Sequence, residues 1–121
     1  MPADFKQGAN LLGKILASSQ VAAATTDTTV YTVPASSAVK VATATIANVT
    51  GSAVTVSVSV VPSGGTVDGT HKIVPDFSLA ANDATNLPEI AGAMLDAGAF
   101  ISIKSSAATA INYLFTGSVS S

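Results

Sequence analysis

Ala53-Val54-Thr55-Val56-Ser57-Val58-Ser59-Val60-Val61 is the stretch on which the fold turns. Successive side chains of an extended chain point to opposite faces. Val54, Val56, Val58 and Val60 therefore share one face and Thr55, Ser57 and Ser59 the other, which predicts a half-buried strand with valines inward and hydroxyls toward solvent. The preceding run, Ala38 to Thr50, alternates Val39, Val41, Thr43, Thr45 and Val49 with Lys40, Ala42, Ala44, Ile46 and Asn48. Asn48-Val49-Thr50-Gly51-Ser52 lies between the two runs and has turn composition. The pair reads as an antiparallel hairpin with its tip near Gly51.

Working outward, Ile15–Ala24 and Thr28–Val33 read as shorter strands joined at Thr25-Thr26-Asp27, and Pro34-Ala35-Ser36-Ser37 turns the chain into the long run. Pro62-Ser63-Gly64-Gly65 and Asp68-Gly69-Thr70-His71 bracket a loop. Strands follow at Lys72–Ala80 and Ala84–Leu87, and Phe100–Ser105 with Ala110–Val119 reads as a final pair through Ser106–Thr109. Ala91–Ala97 is bounded by Gly92 and Gly98 and reads as loop. About eight short strands at spacings of roughly 8–12 residues predict an all-β, single-domain antiparallel β-sandwich of jelly-roll or Ig-like topology. Phe77, Leu79, Leu87, Phe100, Ile101, Ile103, Tyr113 and Phe115 are its expected gap fillers. The sandwich is assigned to residues 14–121. Residues 1–13 are assigned to an N-terminal arm or flexible tail whose Phe5, Leu11 and Leu12 are the candidate partner contacts.

Composition excludes several functions. Charged residues make up only 10% of the 121, against roughly 25% in an ordinary domain. Ala, Ser, Thr and Val together supply 65 residues. The five basic residues are all lysines (Lys6, Lys14, Lys40, Lys72 and Lys104), scattered singly. Phosphate neutralisation needs clustered cations and base readout favours arginine, so no nucleic-acid partner is expected. With no cysteine there is neither a disulfide framework nor a thiolate site. Met1–Lys14 lacks the basic start and unbroken apolar run of a signal peptide. No stretch approaches the roughly 20 apolar residues of a membrane helix, so no membrane partner is expected.

Chemistry-bearing residues do not converge in the sequence. His71, the one histidine, sits near Asp68 in a Gly/Asp-rich loop without the spacing of a metal site or the partners of a catalytic base. Asp4, Asp27, Asp68, Asp76, Asp83, Glu89 and Asp96 fall mostly where aspartate caps turns. No serine has a G-x-S-x-G setting and Gly64-Gly65 is no phosphate loop. The chain reads as non-enzymatic, with no catalytic, metal or cofactor residues.

Three stretches carry a resemblance when taken in order: Thr28-Thr29-Val30-Tyr31-Thr32-Val33-Pro34-Ala35, then Ile46-Ala47-Asn48-Val49-Thr50-Gly51-Ser52-Ala53-Val54-Thr55-Val56-Ser57-Val58, then Leu95–Ala108. Together they resemble a group of small β-sandwich virion proteins of tailed bacteriophages, found as head decoration (cement) proteins or as small tail and baseplate components. The resemblance implies a capsid decoration protein that binds the outside of the head. Its partners would be the major capsid protein or other virion proteins, and copies of itself in a trimer or other cyclic oligomer. It would be located in the virion after assembly in the bacterial cytoplasm. A tail, collar or baseplate component is the alternative. From another class, a carbohydrate-binding module is disfavoured by an aromatic content of 5% and the absence of Trp.

Overall fold

The computed structural model describes residues 13–120. Nine strands follow in order: β1 Gly13–Val21, β2 Thr28–Thr32, β3 Ala38–Asn48, β4 Val54–Val61, β5 Lys72–Leu79, β6 Ala84–Asn86, β7 Met94–Leu95, β8 Phe100–Ser105 and β9 Ile111–Ser120. Sheet A has the order β1-β9-β3-β6, with β7 added to β3; sheet B has the order β2-β8-β4-β5. All pairings between strands are antiparallel. Read across the two layers, β1 matches β2, β9 matches β8, β3 matches β4 and β6 matches β5. This is the strand order of a jelly roll, and the predicted β-sandwich takes that form rather than the Ig-like one.

The order corrects both expected hairpins. β3 and β4 do not pair: β3 bonds to β9, β6 and β7, and β4 to β8 and β5. β8 and β9 likewise lie in different sheets. Only β4 and β5 are consecutive strands that pair. The segment after β3 is an arch that carries the chain from one layer to the other, and Asn48 holds it. This side chain is 1% exposed. Its Nδ2 donates to the carbonyls of Ser52 (2.7 Å), Leu79 (3.1 Å) and Ala80 (3.2 Å), and its Oδ1 accepts from Thr50 N–H at 2.9 Å and Thr50 Oγ1 at 2.7 Å. Both ends of the amide are occupied, as a buried amide requires.

Alternation along β3 does not run unbroken either. Val39 and Val41 face the core, and so do Ala44 and Ile46, which stand in the opposite phase. A register shift between Val41 and Thr43 absorbs the slip; one extra residue in a strand restores the inward phase after it. Beside this bulge β9 comes so close that a Cβ on Gly117 would collide with the Lys40 carbonyl.

Between the sheets lies a single core that includes Val54, Val56, Val58, Ile46, Ile101, Ile103, Ile111 and Phe115. Leu79 and Leu87 fill it as expected, whereas Phe77 is 39% exposed on edge strand β5. Phe100 stands in register with Val61 on the opposite side of sheet B from Ile101. Val61 itself is buried beneath the Pro62–Gly65 turn, where a Cβ on Gly65 would meet Val61 Cγ1 at 3.0 Å. The Ala91–Ala97 segment, expected as loop, contains β7. Residues 1–12, and with them Phe5, Leu11 and Leu12, lie outside the described residues.

Candidate functional site

The two outward faces of the sandwich differ in chemistry. On sheet B, Ser57 is in register with Lys104, and Ser59 with Ser102 and Lys72. Ser57, Ser59 and Ser102 are buried, contrary to the expected solvated hydroxyl face. These short side chains sit among longer neighbours on a central strand, and the Pro62–His71 loop returns to the sheet where Val60 N–H donates to the His71 carbonyl at 3.0 Å. Ser57 has a structural task. Between Val56 and Val58, β5 inserts Pro75-Asp76, two residues against one, and Asp76 takes a φ of 41°. Ser57 Oγ accepts from Asp76 N–H at 2.9 Å and donates to Asp76 Oδ1 at 3.0 Å, replacing the ladder bond that the bulge removes.

His71 and Asp68 do meet. His71 Nδ1 lies 3.1 Å from Asp68 Oδ1 and 2.8 Å from the Thr66 carbonyl. The Thr70 hydroxyl, donating at 2.6 Å, holds the Asp68 carboxyl below the usual aspartate range; desolvation opposes it, and Thr70 N–H, the His71 ring and His71 N–H add to the lowering. The close contacts to Asp68 Oδ1 all come from its own loop, so the arrangement ties Asp68, Thr70 and His71 together. Among the described residues no three His, Asp or Glu side chains are grouped so as to hold a metal ion, and no helix is long and apolar enough to cross a membrane.

The outward face of sheet A is built from hydroxyls, amides and small apolar groups. Three side-chain rungs cross it between neighbouring strands: Gln20 Nε2 donates to Asn112 Oδ1 at 2.8 Å, the Thr43 and Thr116 hydroxyls meet at 2.6 Å, and Thr45 Oγ1 donates to Asn86 Oδ1 at 3.1 Å. Each joins residues directly in register, the positions where cross-strand pairs stabilise a sheet. Leu114, 38% exposed, lies in register between Ser18 and Thr45. An open depression of about 500 Å³ runs over Ser18, Gln20, Thr45, Ala47, Asn112 and Leu114. Ser19, Ile46 and Tyr113 also border it, and of all its lining residues only Tyr113 is ionisable. Tyr113 and Phe115, from the same strand as the depression's floor, turn inward and stack on each other with ring centroids 5.8 Å apart. The depression therefore offers hydrogen bonds but no aromatic platform.

Sequence reasoning anticipated the hydroxyl-rich strands but not which face stays open, because that depends on strand neighbours far apart in the chain. No known protein family, curated protein or solved structure matches the chain.

Proposed function

We propose that this chain is a non-enzymatic structural protein of a tailed-phage virion, a decoration protein that binds the outside of the head. One observation carries the reading: the broad outward face of sheet A is free of ionisable groups across its centre and has its polar groups fixed by Gln20–Asn112, Thr43–Thr116 and Thr45–Asn86. A face of this kind can be covered by a partner without stranding a charge, a burial that costs several kcal/mol per ion. Its hydrogen-bonding groups are ordered beforehand, which lowers the cost of association. On a symmetric shell, weak contacts of this kind gain from repetition. The sequence resemblance supports the same assignment.

Quantitative mass spectrometry of purified particles, together with cryo-electron microscopy, tests it. The expected result is a copy number in the hundreds, with density on the head in which sheet A faces the shell. A few copies confined to the tail tip would replace the head assignment with the tail or baseplate one. Saturable glycan binding by the isolated chain, together with its absence from particles, would favour a carbohydrate-binding module.

A further inference from the structure

We infer that β1 joins two copies of this chain edge to edge, antiparallel about a two-fold axis at Ser19, so that sheet A continues across the pair. The inference does not rest on the virion reading. Terminal strands leave half of their backbone N–H and C=O groups without a ladder partner, and natural sheets blunt them with short length, bulges, proline or charge. Three of the four sheet edges here are blunted in those ways. β5 has two register shifts and carries Lys72 and Pro75. β2 is five residues long and broken by a shift between Thr29 and Tyr31. β6 is three residues long.

β1 is different. It spans nine residues, and past its single shift between Ile15 and Ala17 the run Ala17–Val21 keeps regular register with β9. That run contains neither proline nor charge. Among the described residues β1 pairs with β9 alone.

A second copy fits this edge on both geometry and charge. A two-fold axis makes an antiparallel strand pair self-complementary. Facing residues must lie on the same side of the sheet, so the axis has to pass through a residue rather than between two. Placing it at Ser19 uses the whole regular run: Ala17 faces the partner copy's Val21, Ser18 faces its Gln20, and Ser19 faces Ser19. Lys14 is the only ionisable residue of β1. In this arrangement the two Lys14 residues lie at opposite ends of the shared ladder, roughly 30 Å apart at strand rise, well beyond the ~8 Å screening length of physiological salt. The outer sides of Ser18 and Gln20 would extend the charge-free face of sheet A from one copy into the next.

Sedimentation equilibrium on the full chain, with paired charge variants, tests the inference. Ser19 is exposed, so Ser19→Asp and Ser19→Lys should leave the fold intact, which circular dichroism checks. The wild type is expected to associate to twice its 11.9 kDa. Each variant alone should dissociate more readily, by up to about fivefold, because like charges then face each other across the axis. A one-to-one mixture of the two should recover the dimer, because opposite charges then meet. A wild type that stays monomeric at millimolar concentration overturns the inference, as do charge variants that dimerise like the wild type. Amide exchange separates one further case. If every β1 amide from Ala17 to Val21 is protected in the dilute monomer, the edge is covered within the chain and the inference fails. Protection of the alternate amides that appears only with rising concentration supports it.

Discussion

Replacing Asn48 by alanine tests the account of the arch between β3 and β4. Five hydrogen bonds end on this side chain, but they are not five independent contributions. Two Nδ2 hydrogens are shared among three carbonyls, so at most two full donor bonds exist. The Thr50 hydroxyl keeps an alternative acceptor, the Ser52 carbonyl at 2.9 Å. What remains is two donor bonds and the bond from Thr50 N–H, at about 1 kcal/mol each, for a loss of about 3 kcal/mol. With an unfolding entropy of about 2.1 cal/mol/K per residue, the 121 residues give a fall in Tm of about 12 °C. Asn48→Asp sharpens the test. A carboxylate still accepts from Thr50 but turns a charge toward three carbonyls, so its folded-state pKa rises above the unfolded value. The aspartate variant therefore loses further stability as pH climbs through and above the unfolded carboxyl value, and at neutral pH it falls below the alanine variant. At pH 3 the protonated carboxyl donates one bond and part of the loss returns. Thermal unfolding followed by circular dichroism at both pH values reads all of this. An alanine variant melting within about 2 °C of wild type, or an aspartate variant whose deficit is independent of pH, would refute the role assigned to Asn48.

Gly117→Ala should lower stability by about 3 kcal/mol, since the new methyl meets the Lys40 carbonyl and a ladder backbone yields little; an unchanged urea midpoint would contradict the close approach of β9 to β3. Ser57→Ala should cost about 1–2 kcal/mol by leaving the Asp76 N–H without its acceptor. The Asp76 amide should then exchange faster, and exchange at the wild-type rate would count against the bulge being held by Ser57. Asp68 should titrate by carboxyl-carbon NMR with a midpoint below that of an ordinary aspartate, because the Thr70 hydroxyl, first among its partners, favours the charged form. The contribution to loop order is present above the unfolded value and is lost as pH falls through the folded one; a midpoint raised above the ordinary value would contradict the loop geometry.

The layer count and every described strand position except β7 were legible in the sequence, because a period of two reports which side chains share a face. Strand partners were not. Val49–Ala53 has the composition of a hairpin tip, and the same residues serve equally well as an arch. The distinction is made by Asn48 reaching the carbonyls of Leu79 and Ala80, more than thirty residues away. The phase of β3 illustrates the same limit. Val39 and Val41 stand out of step with Ala44 and Ile46 in the sequence itself, and a bulge at Ala42 could have been read from that mismatch. Ser57 and Ser59 looked solvated because a polar residue on the outer phase of a strand usually is. Their burial comes from β5, β8 and the Pro62–His71 loop, which local pattern does not encode. The open face of sheet A combines β1, β3, β6 and β9, residues from Ser18 to Thr116, and no single window of sequence contains it.

β9 lies between β1 and β3, making the last described strand a central member of its sheet. During synthesis, then, β1 has no sheet neighbour among the described residues until β9 follows, whereas β3 can meet β6 and β7 before it. Topologies dominated by such distant pairings fold slowly and leave unpaired strands exposed in the meantime. Removing the Ile111–Ser120 stretch would not shorten the molecule so much as split sheet A down its middle. A chain ending just before that stretch would hold every strand of sheet B and a sheet A with a gap between β1 and β3.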